Sequence, residues 1–131
     1  MPVVGRGSAY ADIDGDGDLD FVLTASGSAP RLMRNEQKIG HHWVRFQLKA
    51  KGGNSFAYGA RVELQTGDSM QQRFVSPTRG YLSQSELPVT FGLGKSEKIE
   101  SVVIHWPDGS KQELKGSKVD RLNIVEQVDS K

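Results

Sequence analysis

Aspartate recurs at every second position from Asp12 to Asp20, so that Asp12, Asp14, Asp16, Asp18 and Asp20 crowd into one short stretch. The run Asp12-Ile13-Asp14-Gly15-Asp16-Gly17-Asp18-Leu19-Asp20 sets carboxylates at loop positions one, three, five and nine. Glycine stands at position six, and the backbone carbonyl of Asp18 is free at position seven. Calcium takes about six to eight hard oxygens at roughly 2.3–2.6 Å, and odd-position carboxylates on a curled loop converge on one centre. Gly17 permits the sharp bend that returns Asp20 towards Asp12. Without a cation, so many negative charges a few ångströms apart would repel strongly. Ca2+ is therefore the expected cofactor, as a structural clip with no chemistry at the metal. Magnesium is disfavoured, since it keeps its waters and rarely accepts a cage of carboxylates. A solvated acidic turn would also favour Asp and Gly, but turn propensity alone does not set this alternation.

The loop is not an EF-hand. That motif needs a bidentate glutamate at position twelve, where this chain has Leu23, and a helix where Phe21-Val22-Leu23 reads as a strand. The expected setting is a calcium loop between β-strands.

Composition narrows the rest. A chain of 131 residues with 36% hydrophobic and 25% charged residues suits a globular domain with a real core. The formal net charge of +1 gives no global pull towards nucleic acid or an anionic membrane. Cysteine is absent, which excludes disulfides, thiolate zinc sites and iron–sulfur ligation. No apolar run approaches the ~18–20 residues of a membrane-spanning helix, so membrane insertion is not expected. The start at Met1 has no signal-peptide character and enters the motif abruptly, so a piece of a longer protein is expected.

The elements that would position the loop are strands. Phe21 to Thr24 and Arg31 to Arg34 flank a turn expected at Gly27-Ser28-Ala29-Pro30. From Trp43 to Lys49, Val44, Phe46 and Leu48 share one face and Arg45, Gln47 and Lys49 the other, the pattern of an antiparallel sheet with one wet side. Arg61 to Gln65 and Gln71 to Ser76 flank a hairpin turn at Thr66-Gly67-Asp68-Ser69. Val89 to Leu93 follows, then Ser101 to Trp106 and Lys111 to Leu114 around Pro107-Asp108-Gly109, and finally Leu122 to Val125. Roughly nine short strands at about 8–12-residue spacing, with no helix, predict an all-β, antiparallel β-sandwich-like domain preceded by a calcium-loop β-hairpin. Texture changes near Glu36–His41, which divides the chain into 1–36 and 41–128.

Two family resemblances cover nearly the whole chain. Gly7-Ser8-Ala9-Tyr10-Ala11-Asp12 through Asp20-Phe21-Val22 resembles an FG-GAP or VCBS-type repeat, whose loops sit in the blades of β-propellers. The region from His41-His42-Trp43 resembles the ASPIC/UnbV domain, through Gly59-Ala60-Arg61-Val62, Gly80-Tyr81-Leu82-Ser83-Gln84-Ser85, Phe91-Gly92-Leu93-Gly94 and Val103-Ile104-His105-Trp106-Pro107-Asp108-Gly109. The resemblance implies calcium held by the side chains of Asp12, Asp14, Asp16 and Asp20 and the carbonyl of Asp18. It also implies a hairpin of propeller-blade type and a secreted, periplasmic or cell-surface protein acting in adhesion or recognition. One repeat cannot close a propeller, which takes about 4–8 blades.

Other constellations carry less. His41, His42 and His105 could suggest zinc, but adjacent histidines on a strand face opposite ways. Ser83 and Ser85 near Glu86 could be read as nucleophile and helper, yet no G-x-S-x-G elbow or placed histidine accompanies them, so no enzyme is expected. Arg73, Arg79, Tyr81 and Gln84 are the candidate partner surface; the alternative packs Tyr81 and Leu82 beneath the loop. Trp43 and Trp106 are expected in sheet packing. Basic residues late in the chain are interleaved with glutamates, so nucleic acid is not an expected partner. The expected partner is a protein or glycan at the cell surface, with homodimerisation through exposed strand edges as a further expectation. The competing expectation is an accessory domain of a larger enzyme or assembly protein whose active part lies upstream.

Overall fold

The computed structural model describes residues 2–129, so Met1 lies outside the described residues. Among these residues the chain forms ten strands and no helix: β1 (Gly5–Ala11), β2 (Asp20–Ala25), β3 (Ser28–Met33), β4 (His42–Lys49), β5 (Arg61–Thr66), β6 (Ser69–Phe74), β7 (Val89–Gly94), β8 (Ser101–His105), β9 (Lys111–Leu114) and β10 (Leu122–Glu126). They fall into two compact units. The first runs to Lys38 and takes in Pro77–Glu86; the second comprises Ile39–Ser76 and the chain from Leu87 onward.

The first unit is an antiparallel sheet of order β1-β2-β3. β1 has no strand signature in the sequence, because Gly5, Gly7, Ser8 and Ala9 dilute its alternation. The turn between β2 and β3 is tighter than the expected Gly27–Pro30: Gly27 takes a left-handed φ of 72°, and Ser28 already opens β3 opposite Ala25. Pro30 is tolerated inside β3 because β3 is the sheet's edge, where a missing N–H breaks no ladder. Every residue of β3 is exposed.

The other edge, along β1, is held by Pro77–Glu86. Ser8 N–H donates to Ser83 Oγ at 3.1 Å, Tyr10 N–H to Ser85 Oγ at 3.2 Å and Asp12 N–H to Glu86 Oε2 at 3.2 Å. The Glu86 amide returns a bond to the Tyr10 carbonyl at 3.1 Å. Side-chain oxygens thus satisfy edge amides that a bare strand would leave open. The approach is close, since a Cβ on Gly7 would lie 2.7 Å from Ser83 Oγ. Gly7→Ala is therefore expected to destabilise the first unit by about 1–3 kcal/mol. Ser83→Gly, which removes the clashing hydroxyl, should recover part of that loss in the double variant, read by urea denaturation.

The second unit is sandwich-like. One sheet has the order β10-β4-β7 and the other β6-β5-β8-β9. Val44, Phe46, Leu48, Val89, Phe91, Leu93 and Val125 from the first meet Val62, Leu64, Val102 and Ile104 from the second in a single core. Phe46 meets Phe91 edge-to-face, with ring centroids 6.1 Å apart. Trp106 is buried as expected and donates its indole N–H to Gln112 Oε1 at 3.1 Å. The Gly67-Asp68 turn closes β5 on β6 with Thr66 opposite Ser69.

Two expectations for β4 need correction. Arg45 is not on a wet face: it is 5% exposed, and its Nε donates to Thr90 Oγ1 on β7 at 3.1 Å. β4 is also the middle strand of its sheet and pairs in parallel with β10, Phe46 facing Asn123 and Leu48 facing Val125. Only its β7 side is antiparallel. A central strand can bury a polar residue on its second face when a neighbouring strand offers a partner.

His42 begins β4 with Nδ1 2.7 Å from Asp120 Oδ2 and Nε2 3.5 Å from Glu97 Oε1. The hydrogen bond to Asp120 raises the His42 pKa above its ordinary value of about 6.5. A group whose folded pKa is raised contributes stability that is complete below the unfolded pKa and is lost as pH rises through the folded one. Melting temperature should accordingly fall as pH climbs from about 6.5 through the higher folded value, and His42→Phe should flatten that slope in melts taken across this range.

Candidate metal centre

The aspartate loop joins β1 to β2, and the pairing of Ala11 with Asp20 brings its two ends together. Gly15 and Gly17 take left-handed φ values of 78° and 94°, which an L side chain resists, so the curl depends on glycine at both places. Asp20 is 2% exposed and is held from both sides: Oδ2 accepts the Ile13 amide at 3.0 Å and Oδ1 the Asn35 amide at 2.9 Å. Those amide donors, with a lesser contribution from the Arg34 charge, keep the Asp20 pKa below the usual carboxylate value. Asp12 folds the loop over itself, Oδ1 accepting Gly15 N–H at 2.7 Å and Oδ2 accepting Gly17 N–H at 3.1 Å. Asp14 forms an ion pair with Arg34.

Carboxylate oxygens of Asp12, Asp14 and Asp20 lie within 4.8 Å of one another. Two oxygens bound to one calcium at about 2.3–2.6 Å can be at most roughly 5 Å apart, so this spacing fits a shared ion. The donor set fits as well, being all oxygen, anionic and free of sulfur or nitrogen. Asp16 and Asp18 stand differently. Asp16 Oδ1 accepts the Asp18 amide at 2.9 Å in a local turn, and its carboxylate is not one of the three that converge. The Asp18 pKa is raised by partial burial first, and then by the charges of Asp16, Asp12, Asp20 and Asp14. Asp12, Asp14 and Asp20 are thus the side chains that would hold a calcium ion. The ion would supply positive charge to offset the mutual repulsion of the loop's carboxylates.

Three supporting residues were not legible in the sequence: Arg34 against Asp14, the Asn35 amide on Asp20, and Glu86 on the Asp12 amide. Glu86 is far from the loop in the chain, and nothing local announces the contact. Ser83 and Ser85, readable as a nucleophile and helper, are occupied as acceptors along β1.

The four residues of the candidate partner surface are divided between units. Arg73 lies on β6 of the second unit, its guanidinium 5.4 Å from the Phe91 ring centroid. Arg79, Tyr81 and Gln84 belong to the first unit and are exposed. Tyr81 and Leu82 do not pack beneath their loop: they are 67% and 89% exposed, and Leu82 has a left-handed φ of 47°. The histidines do not gather, since His42 pairs with Asp120 and Glu97 while His105 sits 3.0 Å from Glu63.

Fold and site together define a class: all-β proteins in which a sandwich-like unit follows a small antiparallel sheet with an acidic loop. Residues 50–131 match the family model described as "ASPIC and UnbV", and the chain belongs to that family. It is similar to cartilage acidic protein 1 of Xenopus tropicalis and of Homo sapiens, each 38% identical over 80% of this chain. The Mus musculus protein of the same name is 37% identical over the same share. The chain spans about 16–17% of the length of these relatives.

Proposed function

We propose that this chain is a non-catalytic, calcium-binding recognition or adhesion module of an exported or cell-surface protein. The convergence of the Asp12, Asp14 and Asp20 carboxylates carries the proposal. Calcium in this role is structural, tying the start of β2 to the end of β1 so that the first unit holds its shape. Sites that work outside the cytoplasm can be weak, with Kd of about 10⁻⁴–10⁻³ M, because calcium is abundant there. A loop whose three convergent carboxylates include one paired with arginine suits that range.

The first 36 residues are assigned to an FG-GAP/VCBS-type repeat of propeller-blade form. Support comes from the three antiparallel strands and from Ser83–Glu86 lying along β1, where the fourth strand of a blade would run. The non-catalytic reading is favoured at one place, where Ser83, Ser85 and Glu86, readable as a catalytic set, serve as acceptors for β1 amides.

Calorimetric titration with calcium tests the proposal. One-site binding by the wild type, lost in Asp12→Ala, is the expected result. Heats no larger than dilution across the millimolar range would remove calcium from the function and leave the loop an acidic turn.

A further inference from the structure

A second site lies in the sandwich-like unit, away from the aspartate loop. A cleft of about 460 Å³ opens beside the loop between β4 and β5, within the ~300–1,000 Å³ range of small-ligand pockets. Phe56, 55% exposed, lines it, and Tyr58, 45% exposed, leans on Phe56 from outside the cleft with the ring planes tilted by 45° and the centroids 5.7 Å apart. A single exposed ring is ordinary, but two exposed rings in contact form a contiguous apolar patch of the kind that marks a recognition surface. These two are held out by a loop cross-braced by its own hydrogen bonds. Asn54 accepts the Tyr58 amide at 3.0 Å and donates to the Tyr58 carbonyl at 2.9 Å. Between the rings, Ala57 is fully buried, its amide bonded to the Asn54 carbonyl at 2.9 Å, and it takes a left-handed φ of 55°. That region disfavours a residue with a side chain, and the loop holds Ala57 there while displaying both rings.

The polar groups of the cleft select among ligands. Lys49 is 3.5 Å from Glu126 and Lys51 pairs with Asp129, so the rim is balanced in charge rather than cationic. Gln47 and Ser55 line the same cleft and make no side-chain hydrogen bond among the described residues, each offering both a donor and an acceptor. An apolar ring face, paired charges and groups that both donate and accept suit a ligand with one apolar face and a ring of hydroxyls. We infer that this cleft binds a neutral saccharide, stacked on Phe56 and hydrogen-bonded by Gln47 and Ser55. The inference names a ligand class for the recognition role proposed above and rests on that reading, but uses no residue of the aspartate loop.

The test is saturation-transfer NMR on the whole chain with cellohexaose, maltohexaose, mannohexaose and chitohexaose, each with calcium and again with chelator, and with a hyaluronan hexasaccharide as the anionic comparison. Expected are saturation of one neutral hexasaccharide and amide shifts confined to Gln47–Phe56 and Glu126–Gln127. Phe56→Ala should weaken binding at least about tenfold, as loss of a stacking anchor does, and Gln47→Ala should weaken it less. Phe56 is exposed, so the variant should melt with the wild type and a lost signal would report binding. No transfer from any neutral sugar, full binding by Phe56→Ala, or preference for hyaluronan would overturn the inference. The calcium titration stands apart, so failure here with calcium bound leaves the calcium reading intact.

Discussion

Calcium at a hundredfold excess over its Kd is expected to stabilise the first unit by about 2.7 kcal/mol, the mass-action gain for one site bound only in the folded state. Asp20→Asn is expected to abolish that gain. Asp20 is the buried member of the convergent trio, and both its oxygens already accept backbone amides. Asparagine would turn an N–H donor towards one of those amides and remove the charge that draws the ion. The variant should therefore melt earlier in chelator and fail to respond to calcium. Asp16→Asn is the comparison, because Asp16 stands outside the trio and its loss should weaken binding by less. Paired melts in calcium and in chelator make the measurement. Equal calcium shifts in wild type and Asp20→Asn would place any ion elsewhere.

Phe46→Ala should cost about 3–5 kcal/mol, a large share of the stability of a domain this size. Phe46 is wholly buried on the middle strand of its sheet and meets Phe91 edge-to-face, so truncation opens a cavity where no neighbour can close in. The surrounding side chains come from both sheets of the sandwich-like unit, which limits collapse into the void. Leu122→Ala is the control, since Leu122 is 42% exposed and should change stability by less than about 0.5 kcal/mol. Urea denaturation followed by tryptophan fluorescence would separate the two. A loss below 1.5 kcal/mol for Phe46→Ala, roughly what a volume-conserving core swap costs, would mean that the core is less well packed than its geometry indicates.

What the sequence disclosed followed from range. Alternation at Val44, Phe46 and Leu48 announced the core face of β4, and Gly67-Asp68 announced its hairpin, because period and turn chemistry are local signals. β1 is not legible in the sequence because its glycines and small residues carry no alternation, and it is a strand through its partners on either side. The parallel pairing of β10 with β4 joins residues about as far apart in the chain as Phe46 and Asn123, with no turn to signal it. The burial of Arg45 was invisible for a related reason: its Thr90 partner arrives from β7. In the aspartate loop the spacing pointed to convergence of carboxylates, and three of them do converge. Which three depends on where Asn35, Arg34 and the Asx turn at Asp16 pull each side chain, and no spacing rule contains that.

The stretch Pro77–Glu86 leaves the second unit after Ser76 and re-enters it at Leu87, spending the interval as part of the first. The chain is therefore not severable at its linker. A cut after Lys38 yields one fragment whose β1 amides have lost their serine and glutamate acceptors, and another that carries those acceptors with nothing to receive. Gene dissection, domain grafting and limited proteolysis all assume that contiguous sequence means an autonomous piece. Here the heritable and exchangeable block is the pair, and recombination between relatives should preserve the two together.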